Sequence, residues 1–273
     1  MVLEQRELSR MLETAIVAAR LAGQQAMEEL NFIKASVKKN ESELVTQTDT
    51  RCQQIIIGRI KENYPDHGFI AEEGEKGKMF SQPPRGAEAI WWVIDPLDGT
   101  NNFVHQMLLF TTSIAVCYQG EPIVGVIFEP ATESMFTAVK GGEAQLNGRR
   151  ITASEETMSG FSSIGLDSYF DNVVPGWACE IMQRTKFRNL GTTALQIAYV
   201  AKGSLVATIA SRPKLWDVAA GALIAEAAGA VVSDWQGGKI FPVDLDQYEG
   251  RALQAIAANK KVHAELLGLL KSQ

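Results

Sequence analysis

Apolar residues recur at helical spacing in the first segment, from about Leu8 to Leu30, where Leu8, Leu12, Ala15, Ala19, Ala22 and Ala26 share one face without an internal proline. The small residues on that face predict close packing. A polar, lysine-containing stretch from Lys34 to Glu43 follows, and Leu44-Val45-Thr46-Gln47-Thr48 then leads to Asp49. A second helix is predicted over Thr50 to Asn63, with Cys52, Ile55, Ile56, Arg59 and Ile60 at helical spacing, Asp49 in the N-cap position and Pro65 as the stop.

The middle of the chain changes to strand chemistry. Ala89 to Asp95, Thr112 to Gln119, Ile123 to Glu129 and Met135 to Val139 are rich in Val, Ile, Phe, Trp and Thr, and turn residues separate them. Asn147-Gly148 adds a tight-turn signal. An antiparallel meander flanked by helices is expected. From Phe161 onward strands and helices alternate, with strands at Phe161 to Gly165, Phe187 to Leu190, Ser204 to Ile209 and Ala230 to Ser233. The helices between and after them are placed at Val174 to Arg184, Thr193 to Ala201, Val218 to Ala228 and Val262 to Leu270. No repeat or linker interrupts the chain. The reading is α+β, with residues 1–273 forming a single compact domain from halves of about 1–150 and 151–273.

With 46% hydrophobic and 21% charged residues, disordered and fibrous classes are excluded. The first residues carry charges where a secretory signal has an apolar run, and the longest mostly apolar stretch, Val218 to Val232, is shorter than the roughly 20 residues a membrane span needs. Three widely spaced cysteines suggest neither a disulfide framework nor a zinc ribbon, so a cytoplasmic location is expected. Three histidines without H-x-x-x-H spacing leave zinc hydrolysis unsupported, and any metal should be hard and bound by oxygen. The 26 Lys and Arg against 32 Asp and Glu give a net charge of −6, and the basic pairs are short and scattered. Nucleic acid is therefore not the expected ligand.

The densest chemical signal is Trp91-Trp92-Val93-Ile94-Asp95-Pro96-Leu97-Asp98-Gly99-Thr100-Asn101-Asn102-Phe103. A strand ending in such a turn can aim two carboxylates and the Leu97 carbonyl at one point, an all-oxygen set that suits Mg²⁺. Gly99 and Thr100 would open a helix whose amides favour phosphate oxygens. The same letters also describe an ordinary structural turn. They are not an EF-hand, whose spacing and distal glutamate are missing. Two further acidic clusters are Glu72-Glu73, after the apolar pair Phe69-Ile70, and Asp217 in Trp216-Asp217-Val218-Ala219-Ala220-Gly221. Taken singly, the first reads equally as solvated surface and the second, like Asp49, as a plain helix cap.

In this order and spacing, Asp49, Glu72-Glu73, the Asp95-to-Thr100 turn and Trp216-Asp217 resemble the inositol monophosphatase family, part of a group of Mg²⁺-dependent, lithium-sensitive phosphatases that includes fructose bisphosphatases. The resemblance runs from Lys38 to the closing Ala255-to-Lys260 segment. It implies a layered αβαβα sugar-phosphatase fold, with an antiparallel N-terminal sheet, a mixed C-terminal sheet and flanking helices. It also implies two or three Mg²⁺ ions. Glu72, Asp95 and the Leu97 carbonyl would hold the first, Asp95, Asp98 and Asp217 the second, and a third would lie near Glu72 with Glu73 behind it. Asp49, Thr100 and Glu72 would be the catalytic set, and Gly99 and Thr100 would bind phosphate.

The implied activity is phosphomonoester hydrolysis by in-line attack of a metal-activated water, because divalent cations relieve the repulsion between an anionic ester and its nucleophile. The family's substrate side corresponds to Gly191, Thr192, Thr193 and Ala194, and the acidic residue expected seven positions before the Trp-Asp aspartate is Ala210 here. Arg188, Arg212 or Lys214 could instead meet a second anionic group. The Asn101-to-His105 turn, Asn-Asn-Phe-Val-His, resembles the inositol phosphatase style, and that resemblance implies a small polyol or sugar phosphate, with inositol-1-phosphate foremost. Fructose 1,6-bisphosphate, phosphoadenosine phosphate, histidinol phosphate and NADP are the alternatives. A non-catalytic regulatory or partner-binding protein is the reading of another class. The family resemblance also implies a homodimer and inhibition by lithium.

Overall fold

The computed structural model describes residues 4–32, 36–38, 44–85, 89–168, 170 and 173–271. Most of the polar Lys34-to-Glu43 stretch lies outside them. In chain order the elements are α1 (Gln5–Glu29), the antiparallel pair β1 (Ser36–Lys38) and β2 (Leu44–Thr46), α2 (Gln47–Asn63), β3 (Gly68–Ala71), β4 (Phe80–Gln82), β5 (Ile90–Asp98), α3 (Thr100–Val104), β6 (Thr111–Tyr118), β7 (Glu121–Glu129) and β8 (Ser134–Val139). The short hairpin β9 (Gln145–Leu146) and β10 (Arg149–Arg150) then precedes β11 (Ser163–Leu166), α4 (Gly176–Arg184), β12 (Lys186–Arg188), α5 (Thr193–Ala201), β13 (Ala207–Ala210), α6 (Leu215–Ala227), β14 (Val231–Ser233), β15 (Ala255–Ala258) and α7 (Lys260–Lys271). Among the described residues no helix is long and apolar enough to cross a membrane.

One sheet has eight strands in the order β10-β9-β8-β7-β6-β5-β3-β4, and the other has five in the order β12-β11-β13-β15-β14. The larger sheet is antiparallel as expected, except that β3 and β5 run parallel. The exception follows from β4, which pairs with the far side of β3, so that the returning chain enters β5 in the direction of β3. The smaller sheet is mixed: β12, β11 and β13 are parallel, while β15 is antiparallel to both of its neighbours.

Helices alternate with the sheets in five layers. Helices α1 and α2 cover one face of the large sheet through Met11, Ala15, Ala19, Ala22, Cys52, Ile56 and Ile60. Its other face meets α5 and α6, where Val93, Ala115 and Ile127 pack with Ile197, Val218 and Ala222. Helices α4 and α7 close the outer face of the small sheet with Trp177, Ile181, Val262 and Leu266. The α6 layer sits unusually near β7, because a Cβ on Gly125 would lie only 2.7 Å from the Ala220 carbonyl oxygen. Glycine is what lets the helix backbone approach the strand there.

Two helix starts differ from expectation. Asp49 is not the N-cap of α2 but its third residue. Thr46 is the cap, its backbone extended, and the Asp49 carboxylate reaches back to accept from the Thr46 amide. Asp217 is likewise the third residue of α6, accepting from the Lys214 amide at 2.6 Å. Strand β12 ends at Arg188, short of Leu190, whose carbonyl and amide are bound by Asn102 and Gln196 rather than by a strand.

Candidate active site

The site begins where β5 departs from regular pairing. Asp95 faces Ser113 and Asp98 faces Thr111, so the β5 strand carries an extra residue between them. Such a bulge re-aims side chains, and here Pro96, which has no amide to pair, occupies it. Its carbonyl accepts from the Thr112 hydroxyl at 3.0 Å, and the Leu97 amide donates to Asp95 Oδ1 at 3.0 Å. Gly99 then takes φ +99°, a left-handed conformation in which a Cβ would also meet the Leu109 carbonyl at 3.0 Å. That sharp turn starts α3 at Thr100.

Helix α6 supplies the third carboxylate. Asp217 is fixed by the Lys214 amide, and its neighbour Trp216 is tied to β6 through the Ser113 hydroxyl, which donates to the Trp216 carbonyl at 3.0 Å. Carboxylate oxygens of Asp95, Asp98 and Asp217 consequently lie within 4.8 Å of one another. The parallel pairing of β3 with β5 brings Glu72 alongside, its amide donating to the Ile94 carbonyl at 3.2 Å. Behind it, Gln53 of α2 clamps Glu73 through both main-chain groups, with the Glu73 amide at 2.9 Å.

Asp49 arrives from α2 and is fully buried. Its Oδ1 accepts from the Thr100 hydroxyl at 2.7 Å, and its Oδ2 accepts from the Thr46 amide at 2.9 Å and from the Thr46 hydroxyl. The Thr100 hydroxyl also lies 3.1 Å from the Leu97 carbonyl. On the opposite side, Asp98 Oδ2 accepts from the Thr192 hydroxyl and from the Ala194 amide at 2.7 Å, and the Thr193 amide adds to this set. Thr192 and Thr193 thus brace Asp98. Gly191 packs on the Asn102 side chain, which donates to the Leu109 and Leu190 carbonyls at 2.7 Å each. Ala210 ends β13 as a buried methyl, with its carbonyl accepting from Trp235.

The electrostatics suit a divalent cation. Burial, followed by the charges of Glu72, Asp98 and Asp217, pushes the Asp95 carboxyl well above its ordinary range. Asp217 is raised well above its range for the same reason, burial first and then Asp98 and Glu72. Burial carries Asp98 to about 6 against the opposing hydrogen bonds from Thr192 and Ala194, and it also raises Asp49. Carboxylate oxygens converge here and raise one another, the donor set that a hard divalent cation satisfies.

Residues 7–273 match the family model described as the inositol monophosphatase family. The chain belongs to the inositol monophosphatase family. It is 35% identical over 242 residues to the Nus factor SuhB of Pseudomonas aeruginosa, covering 85% of this chain and 88% of that protein. Among solved structures, the Thermotoga maritima IMPase is 30% identical, with a TM-score of 0.84 over 96% of this chain and 97% of the other. The extragenic suppressor protein suhB of Bartonella henselae is 28% identical, also with a TM-score of 0.84, over 96% and 98%. The layered inositol monophosphatase fold expected from the motifs is the fold found, and inositol monophosphatases of this family use divalent metals.

Several supporting contacts were not visible in any motif. Gln53 is the one with a readable signal, since it lies on the buried stripe with Ile56 and Ile60, where an amide needs a polar partner. Ser113 had none, and the motif that contains Asn102 did not show its bracing role, because the partners of both are remote in sequence.

Proposed function

We propose that this chain is a Mg²⁺-dependent phosphomonoesterase for a small polyol or sugar phosphate, with inositol-1-phosphate as the foremost substrate and the two halves of the chain working as one unit. The observation that carries the reading is the convergence of Asp95, Asp98 and Asp217 within 4.8 Å beside the Thr100–Asp49 pair. Glu72, Asp95, the Leu97 carbonyl, Asp98 and Asp217 would hold the ions. When bound, Mg²⁺ supplies neutralisation of the phosphoryl oxygens and acidification of the attacking water.

The protein's own groups do the remaining work. Thr100 gives its hydroxyl proton to Asp49, so its lone pairs face outward and accept a hydrogen bond from a water, fixing the direction of attack. Asp49 holds the negative charge that favours taking up that water's proton through Thr100. The Gly99 and Thr100 amides, at the start of α3, hold phosphate oxygens in place. Thr192 and the Ala194 amide keep Asp98 from swinging away as charge develops.

The test is inorganic phosphate release from inositol-1-phosphate, fructose 1,6-bisphosphate, phosphoadenosine phosphate, histidinol phosphate and NADP. Turnover should require Mg²⁺ and vanish in Asp95→Asn and Asp217→Asn; unimpaired turnover in either variant rejects the assignment. A partner-binding role is a second reading, favoured because relatives of 33–35% identity are named Nus factors rather than phosphatases. It gains if none of the esters is hydrolysed. The expected homodimer and cytoplasmic location belong to the first reading.

A further inference from the structure

The three parallel strands of the small sheet end on the side of the carboxylate cluster. From β11 the chain crosses through α4 on the outer face to β12, then through α5 on the inner face to β13, on the other side of β11. The chain leaves the carboxyl end of β11 for α4 on the outer face and that of β13 for α6 on the inner face, so a crevice opens between the two ends, the place where open α/β sheets take their ligands. The residues following those ends are Asp167 and Ser211.

Asp167 is half-buried and held in position, with Oδ2 accepting from the Ser211 amide and from the Ser211 hydroxyl at 2.8 Å. Its other oxygen, Oδ1, accepts no hydrogen bond from the described residues. The surrounding loops lead straight to the metal-side aspartates. The neighbouring Ser168 hydroxyl accepts from Asn189 at 2.7 Å, and Asn189 in turn accepts from the Gly191 amide at 2.9 Å, one residue before the Thr192 that braces Asp98. On the other flank, Ser211 opens the segment to Lys214, whose amide fixes Asp217. At the end of β13, Ala210 offers only a methyl group.

We infer that Asp167, at the β11/β13 crevice, supplies the carboxylate that binds the hydroxyl groups of the phosphorylated substrate, a role that Ala210 cannot fill. The inference rests on the phosphatase reading above. An ionised carboxylate only accepts hydrogen bonds, so its partner must be a donor, and a polyol presents hydroxyls where an aromatic ester presents none. A charge-assisted contact of this kind discriminates strongly between ligands that carry the donor and ligands that lack it.

The experiment compares kcat/KM for inositol-1-phosphate and for phenyl phosphate in the full-length, Mg²⁺-loaded protein. In Asp167→Asn the ratio of the two should fall about tenfold, with the loss in KM for the inositol ester rather than in kcat. Asp167→Ser should lower the same ratio, so the test survives failure of either variant to fold. A ratio within twofold of the parent protein in a folded variant, or equal losses on both esters, overturns the inference while leaving the phosphatase reading intact. A parent protein that hydrolyses neither ester with Mg²⁺ rejects the phosphatase reading itself and the inference with it.

Discussion

Thr100 donates its hydroxyl to Asp49 at 2.7 Å across 51 positions of chain, and Thr46 saturates the acceptor's other oxygen from behind. The pair therefore acts as a unit with one orientation. Asp49→Asn should lower kcat by roughly 10²–10⁴-fold while moving KM little, and Thr100→Val should do the same. Because each variant disables the whole pair, the double variant should lose little more than either single one. Steady-state phosphate release at saturating Mg²⁺ checks this, and multiplicative losses would show that the two residues act separately.

The raised carboxyl of Asp98 predicts a pH dependence for the metal-free protein. Its folded value of about 6 lies above the ordinary 3.8, so its contribution to stability is complete below pH 3.8 and is lost as pH rises through 6. At pH 7.5 the ionised group is a liability. Asp98→Asn should melt higher than the parent protein in EDTA at pH 7.5, and the gap should close toward pH 5. Burial lowers His67 and His263, which act in the opposite sense on acidification, but both proteins share them and the difference cancels their effect. A gap that widens as pH falls would contradict the assignment.

Mg²⁺ should reverse that liability. Binding to the folded state alone stabilises by about 2.7 kcal/mol at a hundredfold excess over the dissociation constant, so the melting temperature should climb with Mg²⁺ concentration. Asp217→Asn should flatten the climb even if the variant starts from a higher melting temperature. A parent protein indifferent to millimolar Mg²⁺ would count against a cation site.

Gly125→Ala should cost about 1–3 kcal/mol, because the added methyl meets the main-chain oxygen of Ala220 at 2.7 Å and no side-chain rotation can relieve the contact. Since α6 carries Asp217, the same variant should bind Mg²⁺ more weakly. Gly58→Ala is the control. It lies on the exposed side of α2 with nothing within 4 Å, and it should gain about 0.5–1 kcal/mol. Urea denaturation reads both.

Much of this architecture could be read from periodicity and caps. Helix α5 begins and ends where predicted, because Thr192 caps it and an apolar run fills it. The starts of α2 and α6 were placed too late, since Asp49 and Asp217 cap from inside the first turn by reaching back to Thr46 and Lys214. Strand direction was also hidden: the pattern of β3 and β5 says that both are buried, not that they run parallel. The carboxylates were legible because each sits in a short motif. The partners of their supports were not, since Gln53 finds Glu73 across 20 positions, Asn102 finds Leu190 across 88, and Ser113 finds Trp216 across 103.

That last span has a consequence for how the protein matures. During synthesis, Asp95 and Asp98 emerge long before Asp217 exists, so the proposed ion shared by these three carboxylates lacks a ligand until α6 has been made. Capture of that ion would thus follow the docking of α6 onto β6 and β7 instead of guiding it, and its occupancy would certify that the two sheets have come together.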